Sequence, residues 1–162
     1  MQEQWINWVA STSLSGWVTQ GAWTWPILET LHFFGMTILM GALLVIDLRL
    51  IGFFRRISFE ATHKLLPYVF TGFGINLVTG ILFYFGDPGR YTVNISFQIK
   101  MVLIILAGIN AALFYVLIDK KMGTWSAHDN TPGDAKIIGA ASLVLWFGVL
   151  IMGRMIPYLG TG

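Results

Sequence analysis

Four long apolar runs divide this 162-residue chain: Pro26 to Ile46, Leu65 to Phe85, Met101 to Ile118 and Ile137 to Met152. Each approaches the ~20 residues that cross ~30 Å of hydrocarbon at 1.5 Å per residue, so the runs read as membrane-spanning helices. An apolar share of 56% and a mean hydropathy of +0.70 leave little soluble remainder. The expected fold is all-α, an integral membrane four-helix bundle forming one domain over residues 1–162. Spans are expected at about 26–54, 58–85, 95–121 and 134–158, after an interfacial segment at 1–25. The lipid bilayer is the expected surroundings, and no nucleic-acid partner is expected.

The absence of cysteine excludes disulfides, thiolate metal sites, iron–sulfur clusters and cysteine nucleophiles. The link between the first two spans carries Arg49, Arg55, Arg56 and Lys64, and the link between the last two carries Lys120, Lys121 and Lys136. These are seven of the ten basic residues, while Arg90, Lys100 and Arg154 lie toward the other side. The excess of positive charge places both links in the cytoplasm and both termini outside, in a bacterial inner membrane. Residues Met1 to Ala10 hold Glu3 and no basic residue, which does not read as a cleavable signal.

Trp5, Trp8, Trp17, Trp23 and Trp25 crowd the first 25 residues. Indoles favour the headgroup layer, so one or two interfacial helices are expected there. Pro26 suits the first turn of span one, and Ser58, followed by Glu60 and Ala61, suits the N-cap of span two. Pro67 is expected to kink the inner third of span two, and Gly86-Asp87-Pro88-Gly89 to form the turn that ends it. Span three is expected to follow Asn94 and run to about Lys121, and Gly123 to Gly133 reads as a polar loop. The glycines within the spans read chiefly as packing surfaces.

Two Glu-x-x-His motifs, at Glu29 to His32 and Glu60 to His63, invite comparison with carboxylate-bridged di-iron bundles. From His32 to the end of span one near Phe54 is about 22 residues, or ~33 Å of helix, so the two histidines belong near opposite membrane faces. His63, beside Lys64 and near Arg55 and Arg56, reads as a solvated helix start, with a second ligand site the lesser alternative. His128 reads as a loop residue. Asp47 and Arg49 read as a charge-paired collar, closed locally or against Asp119, Lys120 and Lys121.

His32 lies inside an apolar run with Glu29 one turn away on the same face. At the same depth the other spans bring Asn76, Thr79, Lys100 and Arg154, so four helices contribute polar groups to one layer. Ionisable residues at membrane depth are costly and mark function. Glu29, Lys100 and Arg154 could instead neutralise one another as a buried ion network. Met36 and Met40 continue the His32 face, and Met101, Met152 and Met155 lie at a similar level. Thioethers suit Cu(I), so a copper track is a further alternative.

Glu29-Thr-Leu-His32, Asp47-Leu-Arg-Leu-Ile-Gly52, Thr71-Gly-Phe-Gly-Ile-Asn76, Thr79-Gly80 and Phe97-Gln-Ile-Lys100 together resemble an uncharacterised bacterial family of small four-span membrane proteins. More distantly, His32, Gly41, Arg49 and Lys100 resemble positions of the HemJ-type protoporphyrinogen oxidases, four-span proteins that bind haem b. The Leu-His and later glycine of the first span also resemble the CopD-type copper-resistance membrane proteins. These resemblances imply haem b, or alternatively copper, with His32 as the metal ligand. The expected function is a haem b-binding redox or electron-transfer component of the membrane, linked to a quinone or a porphyrinogen. Its cofactor-binding residues would be His32, Glu29, Asn76, Lys100 and Arg154. The alternatives are a non-catalytic accessory subunit and a copper-handling protein. A homo-oligomer or a place in a larger membrane complex is expected.

Overall fold

The computed structural model describes residues 1–122, 125 and 130–159, so His128 and most of the loop around it lie outside the described residues. Two short helices, α1 (Gln2–Ala10) and α2 (Ser13–Gln20), precede α3 (Thr24–Ile51). Then come α4 (Phe59–His63), α5 (Leu66–Gly86), α6 (Pro88–Val93) and α7 (Ile95–Phe114). A π-helical turn over Tyr115–Asp119 carries α7 into α8 (Lys120–Met122), and α9 (Gly133–Met155) follows. Four helical segments are long and apolar enough to cross a membrane: Thr24–Ile51, Phe59–Gly86, Ile95–Met122 and Gly133–Met155.

Local chemistry explains most boundaries. The Ser58 hydroxyl accepts from Ala61 N at 3.2 Å and starts α4, and the Asn94 side chain accepts from Phe97 N at 3.1 Å and starts α7. Span one stops at Gly52, whose φ of 108° is accessible to glycine and caps the helix through bonds to Leu48 O and Arg49 O. Two expectations need correction. Pro67 does not kink a continuous helix; it falls in the first turn of α5, after a break at Lys64 and Leu65. The segment after Gly86 is more than a turn, because Asp87 accepts from Arg90 N at 3.1 Å and opens α6 with Pro88 in its first turn.

Packing runs in the order α5, α3, α9, α7, with extensive contacts between each neighbouring pair and none of comparable extent between α5 and α7. The group is therefore open on one side. At one end, here the terminal end, α1 and α2 lie against α5, α6 and α3, and the Asn94 amide donates to Ile156 O at 2.9 Å. At the other, the linker end, Ile46, Leu50, Phe59, Ile118, Met122, Ala135 and Ile138 form a buried apolar cluster. Arg49 is buried there, 1% exposed, with Nε donating to Ile57 O at 2.6 Å and its guanidinium 3.8 Å from the Phe59 ring centre. It thereby straps the α3–α4 connection to the end of α3, and Trp125 packs edge-on against Phe59 with ring centres 5.1 Å apart.

Candidate functional site

The α3–α5 seam sets the surroundings of His32. A Cβ added to Gly72 would stand 2.6 Å from Gly35 O and from Leu39 N, so only glycine permits the helices to cross this closely. One rung toward the terminal end, Gly35 faces Ile75 and Asn76, and one rung further His32 faces Thr79. The helices run antiparallel, so each step back along α3 meets a step forward along α5.

At the His32 rung the ring Nδ1 lies 2.7 Å from Thr79 Oγ1. The Thr79 hydroxyl donates to Ile75 O at 2.7 Å, which commits its only proton. Nδ1–H is therefore the donor to Oγ1 in the neutral ring, and Nε2 keeps its lone pair. This is the second-sphere arrangement that orients a histidine for a metal. Phe83 lies edge-on to the imidazole, with ring centres 5.4 Å apart, and holds it from the α5 side.

The other expected site residues distribute unevenly. Lys100 is half-buried, within electrostatic reach of His32 and beside Gly153, and it makes no ion pair or hydrogen bond among the described residues. Asn76 sits one turn from Thr79 with a buried Oδ1 that has no partner among the described residues. Glu29 is exposed and accepts from Trp25 Nε1 at 3.0 Å. Arg154 is exposed and donates to Tyr158 Oη at 3.2 Å. Glu29, Lys100 and Arg154 thus form no ion pair with one another among the described residues. No set of three or more His, Asp and Glu side chains among the described residues is arranged to hold one metal ion. Single-histidine ligation does not need such a set. Met36, Met40, Met152 and Met155 are half-buried and Met101 is 41% exposed.

A second polar region lies toward the linker end. His63 is exposed, yet its Nε2 meets Asp119 Oδ1 at 2.9 Å, joining α4 to the π-helical turn. Asp47 is 4% exposed and forms no ion pair with Arg49 among the described residues; its Oδ2 has no hydrogen-bond partner there. Asn110 from α7 donates to Ile138 O at 3.1 Å, and Ser142 from α9 lies beside Asp47. Asp47, Asn110 and Ser142 were not expected as site residues. The available signal was a polar side chain in the middle of an otherwise apolar span. We find no protein-family model, curated protein or solved structure that matches this chain.

Proposed function

We propose that this chain is a haem b-binding protein of the bacterial inner membrane, a redox or electron-transfer component with both termini outside and a quinone or porphyrinogen as its partner. The observation that carries the reading is the His32–Thr79 hydrogen bond, which orients the imidazole and leaves Nε2 able to coordinate iron. When bound, haem supplies a reversible one-electron couple. The residues that would hold it are His32 as the iron ligand, Thr79 fixing the tautomer, and Lys100 as a cation for a propionate. A shallow groove of about 320 Å³ runs past Trp23, Pro26, Ile27, Thr30 and Phe34 on the exposed face of α3, and His32 does not line it.

A second reading, a non-catalytic accessory subunit, draws support from the same seam. There His32 is a satisfied packing residue between two closely crossing helices. Oxidised and dithionite-reduced absorption spectra of the detergent-purified protein separate the two. A Soret band and a haem b pyridine haemochrome are expected in the wild type and in His128→Ala, and not in His32→Ala. Equal haem occupancy in His32→Ala and wild type would remove the assignment. A colourless protein would favour the accessory subunit, and bound copper by elemental analysis would favour copper handling.

A further inference from the structure

Beside Asp47 lies a cavity of about 510 Å³, within the ~300–1,000 Å³ usual for small-molecule sites. Helices α3, α5, α7 and α9 all contribute to its wall. The wall is largely apolar, and Phe70, Phe73, Phe114 and Trp146 add aromatic faces to it. The chamber touches the open side of the group, where α5 and α7 do not pack extensively and where Gly108 and Ala111 are exposed. Among the four candidate spans, that opening faces the hydrocarbon of a bilayer.

The polar groups on the wall are matched unequally. The Asn110 amide is committed to Ile138 O, and His63 and Asp119 pair with each other at 2.9 Å. The Asp47 carboxylate is 96% inaccessible by difference from its 4% exposure, lines the chamber, and has an Oδ2 with no partner among the described residues. No lysine or arginine among the described residues lines the chamber. Ser142, also on the wall, hydrogen-bonds the Asp47 side chain, so one oxygen of the carboxylate is left unmatched, and a half-matched buried carboxylate is costly for a fold to hold.

We propose that this chamber is a binding site for a lipophilic organic cation, with Asp47 as its counter-ion. The lining disfavours an anion, since it offers the Asp47 carboxylate and no lysine or arginine among the described residues, and His63 is already engaged with Asp119. A purely apolar occupant would leave Asp47 as it stands. A cation with a hydrocarbon or aromatic body satisfies both halves of the wall, because aromatic faces attract cations and the carboxylate supplies the charge. Entry between α5 and α7 requires a molecule that partitions into lipid. This site is separate from His32 and does not rest on the haem reading.

The test is equilibrium dialysis of labelled tetraphenylphosphonium against the full chain in detergent micelles, with neutral triphenylphosphine oxide as the comparison probe. Saturable tetraphenylphosphonium binding is expected. Asp47→Asn, which keeps the shape and removes the charge, should weaken it by about tenfold or more, while Glu3→Gln, at an exposed carboxylate that does not line the chamber, changes it by about twofold or less. Gly108→Trp supplies a second variant, because a Cβ at Gly108 meets nothing within 4 Å and the indole can fill the chamber mouth without a clash there. It too should abolish binding, with the charge untouched. Equal binding by wild type and Asp47→Asn would overturn the proposal. So would absence of saturable binding in the wild type, or tighter binding of the neutral oxide, which would mark a protonated acid that recognises a hydrogen-bond acceptor.

Discussion

His32 and Asp47 sit on the same helix, 15 residues or ~22 Å apart, and meet their surroundings in opposite ways. The imidazole hydrogen-bonds across a tight two-helix seam, in which Thr79 is in turn tied to its own backbone. The carboxylate faces a largely apolar chamber with one oxygen unmatched among the described residues. The difference follows from helix spacing. Where Gly35 and Gly72 draw α3 and α5 together little room is left, and His32 finds its partner in the wall, although Asn76 Oδ1 in the same seam has none among the described residues. Where α5 and α7 stand apart, space remains and a polar group can wait for a ligand. A satisfied group stabilises its seam; an unsatisfied one lowers stability and so points to binding.

The comparison breaks most decisively at the seam. Gly72→Leu forces a side chain into the 2.6 Å contacts with Gly35 O and Leu39 N, and should cost about 3 kcal/mol or more. Loss of a monodisperse peak on size-exclusion chromatography and a lowered thermal midpoint would report it; wild-type behaviour would show that the crossing is not close. Next in size, Asp47→Leu should raise stability by about 1–3 kcal/mol, because an apolar side chain replaces a half-matched buried carboxylate. A lowered thermal midpoint would instead mark Asp47 as a structural partner. Smallest of the three, Thr79→Val leaves the His32 Nδ1–H without its acceptor and should lower stability by about 1–2 kcal/mol. The opposite signs at Asp47 and Thr79 are the sharpest form of the contrast, and equal signs would dissolve it.

Depth along each helix was legible in the sequence, and rotation about each helix was not. Hydropathy located the four long apolar helices, the side-chain chemistry of Ser58 located one helix start to the residue, and span three was expected to follow Asn94, where α7 begins. The same reasoning placed His32, Thr79, Asn76 and Lys100 at neighbouring levels. It also gathered Glu29 and Arg154 into that layer, whereas both turn outward to Trp25 and Tyr158. The cause is that these spans are apolar on nearly every face, so no polar stripe reports which side meets a neighbour. The sequence suggests that Asp47 and Arg49 pair locally or with Asp119, Lys120 and Lys121, and the local pair is the one their closeness in sequence favours. Two positions along a helix differ by about 200° of rotation, and the structure sends Arg49 to Ile57 and Phe59 instead. The break before Pro67 was legible as a proline, but its form depended on α4 docking at the linker end.

The order α5, α3, α9, α7 also fixes a timetable for assembly. Chains emerge from the N-terminus, so α3 gains its partner α5 as soon as the second span is made. Helices α1 and α2 cannot settle until α5 and α6 exist, since Trp5 hydrogen-bonds to Tyr84 and Tyr84 in turn to Thr92. Helix α7 then has no extensive neighbour among the earlier long helices and must await α9, which follows it in the chain. During that interval Lys100 and Asn110 face surroundings that do not yet hold Gly153 or Ile138. Helix α9 is thus the one that joins α7 to the α3–α5 pair, and without it α7 has no extensive neighbour among the described long helices.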